Sequence, residues 1–193
     1  MATATRRVGP PDHGQKMTLD EFSEAAFEEG WLYELARGVV IVTEVPGIGH
    51  GRSVGRFARM FVLYEEAHPG VVNYRAGGGE CRLRLPGMQS DRLPDQAVYL
   101  LPPPEGPRPW TRWVPEIVVE ILSEGSEGRD LVEKREEYLR IGVTEYWILD
   151  PVERRLIVLQ RAGDVWQEVA VPACASYRPH LLPGLEVRPD ESK

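Results

Sequence analysis

A glutamate interrupts an apolar run in Ile117-Val118-Val119-Glu120-Ile121-Leu122, bounded by Pro115 and Ser123. Such a run reads as a central strand covered on both faces. A bare carboxylate there is strongly disfavoured, so Glu120 is expected to be protonated, paired or bound to a cation. The plainer alternatives are a strand-end acid reaching water and an acid held by an arginine. Asp95 follows Pro94 at the head of a second short strand. Alone, Pro-Asp is an ordinary turn. Meeting Glu120 on adjacent strands, it would complete a pair of carboxylates suited to a hard cation such as Mg2+, with water filling the shell.

The third group is an amine. Of 23 cations, 20 are arginine and three are lysine: Lys16, Lys134 and Lys193. Lys134 is the one that falls in the expected folded body. Helical spacing through RDLVEKREEYLRIG places it between Tyr138 and Ile141, on the apolar side with Leu131 rather than with Glu133, Glu136 and Glu137. An inward lysine needs an anion or loses its proton; otherwise its head snorkels past the helix edge.

These groups need elements to hold them. Residues 1–17, with Gly9, Pro10, Pro11 and Gly14, read as a flexible leader, and residues 18–190 as a single domain. Thr18 followed by Glu21 marks a capped helix start. WLYELARGVVIVTEV reads as a hairpin turning at Arg37-Gly38. GHGRSVGRFARMFVLYEEAHPG reads as a helix with Arg52, Arg56 and Arg59 on one face. A Gly-rich bend at 77–79 joins two strands, and a loop with six prolines between 102 and 115 precedes the Glu120 strand. A helix that Asp130 can cap and Gly142 can end follows, then three strands. This order suggests a mixed sheet flanked by helices.

Composition bounds the classes. The chain has 193 residues, 42% hydrophobic and 27% charged, which is globular. No apolar run approaches membrane-spanning length, and the N-terminal segment lacks a secretory core, so no membrane partner is expected. Cys81 and Cys174 allow at most one disulfide, and the expected setting is a reduced, cytoplasmic one. The net charge of −7 argues against a basic coat for nucleic acid, yet residues 50–84 carry a net +3 and residues 115–153 a net −7. That fits a cation site beside a phosphate-facing surface, and it equally fits an ordinary charged exterior.

In this order the pieces resemble the Uma-two family of restriction endonucleases, within the PD-(D/E)XK nuclease superfamily. The matching residues are Tyr33-Glu34-Leu35 with Gly38, His50, Leu93-Pro94-Asp95, Val119-Glu120-Ile121-Leu122-Ser123, and Asp130 with Lys134 and Tyr138. The run from Gly142 to Pro151 and Leu182-Pro183-Gly184-Leu185 complete the set. The resemblance implies an α/β, restriction-endonuclease-like fold with a mixed central β-sheet flanked by α-helices. It implies a Mg2+-dependent endonuclease, with Mn2+ as a substitute, acting on nucleic acid, DNA first. Asp95 and Glu120 would hold the metal with the Ile121 carbonyl. The superfamily lysine normally stands two residues after the second acid; that position is Leu122, so Lys134 takes the role. Val39 stands where the family often has an acid.

Glu34 is a secondary candidate for the metal shell, against a cross-strand pair within the hairpin. His50 is another, at a helix start facing phosphate, against capping or packing. Tyr138 is expected to help fix the lysine, and Asp130 to cap its helix. Arg52, Arg56 and Arg59 would touch the nucleic-acid backbone, and a homodimer follows by superfamily analogy. The competing class is a non-catalytic binding or scaffold protein of the same fold, associated with mobile elements.

Overall fold

The structure is a computed structural model that describes residues 5–78, 81–123 and 125–189. Gly79, at the end of the Gly-rich bend, lies outside the described residues. The chain forms two compact units. One is drawn from Met1–Pro46 and Arg82–Leu93, the other from Gly47–Cys81 and Pro94–Lys193. The expectation of one domain over 18–190 thus meets two units, because the hairpin at 82–93 returns to the N-terminal stretch.

The first unit holds β1 (Arg7–Val8), α1 (Leu19–Glu24), β2 (Ala26–Phe27), β3 (Trp31–Ala36) and β4 (Val39–Glu44). The Thr18 hydroxyl accepts from the Glu21 N–H, and the Glu21 carboxylate reaches back to the Thr18 N–H, as the capping box requires. Arg37 and Gly38 both take positive φ, which suits the tight turn of a twisted hairpin. Residues 5–17 correct the flexible leader. Val8 is fully buried, β1 pairs in parallel with β2, and His13 and Gly14 bond to β4. Gly and Pro there shape turns, while Val8 and Met17 supply apolar anchors.

The second unit opens with α2 (Ile48–Ala67) and β5 (Tyr74–Gly77). The chain then supplies β6 (Leu83–Leu85) and β7 (Ser90–Arg92) to the first unit, where the strand order is β4-β3-β7-β6, all antiparallel. The second unit resumes with β8 (Gln96–Tyr99), β9 (Ile117–Ile121), α3 (Lys134–Ile141), β10 (Glu145–Asp150), β11 (Arg155–Ala162) and β12 (Val165–Val171). Its six strands run β12-β11-β10-β9-β8-β5. Only β9 and β10 are parallel, and α3 is the crossover that a parallel pair needs.

Every residue of β9 is buried. Alternation sends Ile117, Val119 and Ile121 into a core with Phe57, Phe61 and Tyr64 of α2. Val118 and Glu120 occupy the other face. The proline-rich segment packs locally: Trp113 lies 4.3 Å from Tyr99 and 5.3 Å from Trp110, centroid to centroid. Among the described residues no helix is long and apolar enough to cross a membrane.

Candidate active site

Glu120 is 3% exposed, too buried for a strand-end acid reaching water, and its Oε1 is held by two donors. That oxygen accepts from the Lys134 Nζ at 2.9 Å and from the Tyr138 hydroxyl at 2.9 Å. The helix delivers both donors because residues four apart share a face. Lys134 is 5% exposed, so its head does not snorkel away. Its Nζ also lies 3.0 Å from Asp130 Oδ1. Lys134 thus bridges two buried carboxylates, Glu120 and Asp130.

Asp130 does not cap the helix. It is buried in a wide π-type turn over Arg129–Glu133, and its carboxylate turns to the amine. The spacing of Asp130 and Lys134, four residues apart, carries this pair in the sequence.

Asp95 is held at the mouth of its strand. The β8–β9 register pairs Gln96 with Val119, and one step further sets Asp95 across from Glu120. The Ile121 N–H donates to Asp95 Oδ2 at 2.8 Å. His50, two residues into α2, places Nε2 3.2 Å from the same oxygen. The Asp95 carboxylate raises the His50 pKa above its ordinary value, burial opposes this, and a bond to the Ile121 main chain adds to it. His50 therefore engages both Asp95 and Ile121.

Glu34 belongs to the first unit. Its Oε1 accepts the Leu93 N–H at 2.9 Å and its Oε2 lies 3.5 Å from the fully buried Arg92. This is a pair within its own sheet, though with β7 rather than with its hairpin partner β4. Of the arginines, Arg52 and Arg59 are exposed. Arg56 is half-buried, its guanidinium 5.6 Å from the Phe57 ring centroid. Cys81, 2% exposed, was not singled out by sequence; burial pushes its thiol up to about 12, the nearby Glu120 charge adds to this, and the Tyr99 hydroxyl opposes it. Tyr146 was also missed: its hydroxyl donates to the Asp130 carbonyl at 2.9 Å.

Asp95, Glu120 and the Ile121 carbonyl offer oxygen donors, the donor type that Mg2+ takes. Mg2+ keeps several waters and binds through one or two carboxylates, so it needs no closed cage. Among the described residues no three His, Cys, Asp or Glu side chains form one. A carboxylate offers two oxygens and about four lone-pair sites, so one carboxylate can serve several partners at once.

The mixed six-stranded sheet and its α3 crossover are those of the restriction-endonuclease-like class of folds. The family model described as "Uma2: Putative restriction endonuclease" matches residues 19–190, and the chain belongs to that family. A solved structure described as a putative nuclease belonging to DUF820, from Anabaena variabilis, is similar over 90% of this chain and 96% of its own. Their TM-score is 0.71 at 18% sequence identity. No curated protein matches.

Proposed function

We propose that this chain is a metal-dependent nuclease that hydrolyses phosphodiester bonds, with DNA as the expected substrate. The observation that carries the reading is a buried strand carboxylate, Glu120, held by the Lys134 amine and set across from Asp95, in a chain of this family. Asp95, Glu120 and the Ile121 carbonyl would hold the ion. A bound Mg2+ or Mn2+ supplies polarisation of a phosphoryl oxygen and a more acidic water.

The protein's own groups supply the rest. Lys134 is a compact, strongly hydrated charge whose amine can orient an attacking water or stabilise the negative charge that develops on the phosphoryl group. Tyr138 fixes the Glu120 carboxylate. His50 steadies Asp95. Arg52 and Arg59, exposed on α2, offer contacts to the phosphate backbone.

The test is cleavage of supercoiled, linear and single-stranded DNA and of RNA, with Mg2+ or Mn2+, by wild type, Asp95→Asn and Glu120→Gln. Both variants are expected to lose at least about 100-fold in rate, the lower scale on which removal of essential groups acts. Cleavage that survives both substitutions refutes the site. Metal binding without cleavage of any substrate would favour the non-catalytic reading. A homodimer is part of the proposal, because cutting both strands uses two sites, and sedimentation of the chain on a short duplex checks it.

A further inference from the structure

Lys134 enters the site from a helical turn of unusual width. Its N–H bonds to the Arg129 carbonyl, five residues back, rather than four. Such turns shift the register of the side chains that follow and recur at functional sites. Around this one, Asp130 is fixed three times. Its N–H donates to the Ser126 carbonyl at 3.0 Å, its own carbonyl accepts from the Tyr146 hydroxyl at 2.9 Å, and its carboxylate holds the Lys134 amine at 3.0 Å. Tyr146 stands on β10, opposite Val118 of β9, so the sheet that carries Glu120 also anchors the turn.

This arrangement solves a conflict in the site. An ammonium at 2.9 Å from Glu120 competes with any dication for that carboxylate. A second carboxylate on the same ammonium, Asp130, draws part of its charge away from Glu120. We infer that Asp130 is the positioning residue of Lys134, and that the Arg129–Glu133 turn with the Tyr146 hydroxyl sets its angle, so that amine and cation can share Glu120. The inference rests on the nuclease reading. A helix cap would spend its carboxylate on backbone N–H groups; this one is turned to the amine and buried with it.

The experiment is calorimetric titration of the full chain with Mn2+ alone, alongside DNA cleavage. The variants are Asp130→Asn, Lys134→Met, the two combined, and Tyr146→Phe. Asp130→Asn is expected to weaken Mn2+ binding by about 10-fold or more, as loss of partners behind metal ligands does. Lys134→Met is expected to bind Mn2+ more tightly than wild type. In the Lys134→Met background, Asp130→Asn should cost about threefold at most, the part owed to its own charge under screening. Tyr146→Phe changes no charge and should move binding in the same direction as Asp130→Asn by a smaller factor. It carries the test should Asp130→Asn fail to fold.

Equal weakening in both lysine backgrounds overturns the inference, since Asp130 would then act on the fold and not through the amine. Wild type that binds Mn2+ and cleaves DNA, with Asp130→Asn and Tyr146→Phe unchanged, overturns it while sparing the nuclease reading. Wild type that binds no Mn2+ and cleaves nothing overturns both.

Discussion

Lys134→Met keeps most of the stem and removes the charge. The ammonium it deletes stands 2.9 Å from Glu120 and 3.0 Å from Asp130, and all three side chains are 6% exposed or less. Solvent therefore cannot take its place. Removing one partner of a buried pair costs about 3–5 kcal/mol, because a buried charge is left uncompensated. The Tyr138 hydroxyl remains on Glu120 and holds the cost toward the lower end. At about 2–4 °C per kcal/mol for a chain of this size, the melting temperature of the unit should fall by roughly 6–20 °C. Urea unfolding in EDTA, followed by far-ultraviolet circular dichroism, measures the loss. Glu120→Gln combined with Lys134→Met should recover part of the stability, as coupled neighbours do in a double-mutant cycle, with Asp130 still lacking its ammonium. Adding Mn2+ should recover stability in the single variant more than in the double, since a ligand stabilises the state that binds it. A loss below about 1 kcal/mol, the scale of exposed ion pairs, would refute the reasoning and place the amine in water.

The pH response of the metal-free protein follows from His50. Asp95 raises its folded pKa, so its contribution is fully present below the ordinary histidine value and is lost as pH rises through the raised one. Stability should therefore decline on going from about pH 6 upward, and His50→Gln should flatten that part of the profile; parallel profiles would refute it. Native protein at pH 8 should react with a thiol probe at the exposed Cys174 and not at Cys81, whose pKa is pushed to about 12; two reactive thiols before unfolding would contradict the burial. Duplex binding measured by anisotropy in Ca2+ should lose about 0.9 from its log–log salt slope for each phosphate contact removed. Arg52→Gln and Arg59→Gln are each expected to do so, and an unchanged slope would exclude α2 from the interface.

The strands and helices were legible where a single physical rule governed them. The Glu120 strand announced itself by an apolar run, α1 by its capping box, and the inward Lys134 by helical spacing. Contacts between distant segments were not legible in the same way. Nothing in the local pattern says that residues 82–93 return to the N-terminal stretch, or that residues 5–17 dock through Val8 and Met17. Asp favours helix starts, so the sequence alone makes Asp130 a cap; the wide turn that redirects it is a tertiary effect, locked by Tyr146 from another strand. Cys81 was legible only as a lone thiol, and its neighbourhood with Tyr99 and Glu120 depends on three separate segments.

The first unit is assembled from two stretches separated by α2 and β5. Glu34 arrives with the first stretch, and Arg92, its cation, with the second. During synthesis the acid emerges long before its partner, and the β3–β4 hairpin waits with one edge uncovered until β7 is made. Open edges of this kind invite pairing with other chains. A shortened chain ending before residue 82 would keep that exposure permanently, and an aggregation-prone product is the expected outcome of expressing Met1–Pro46 alone.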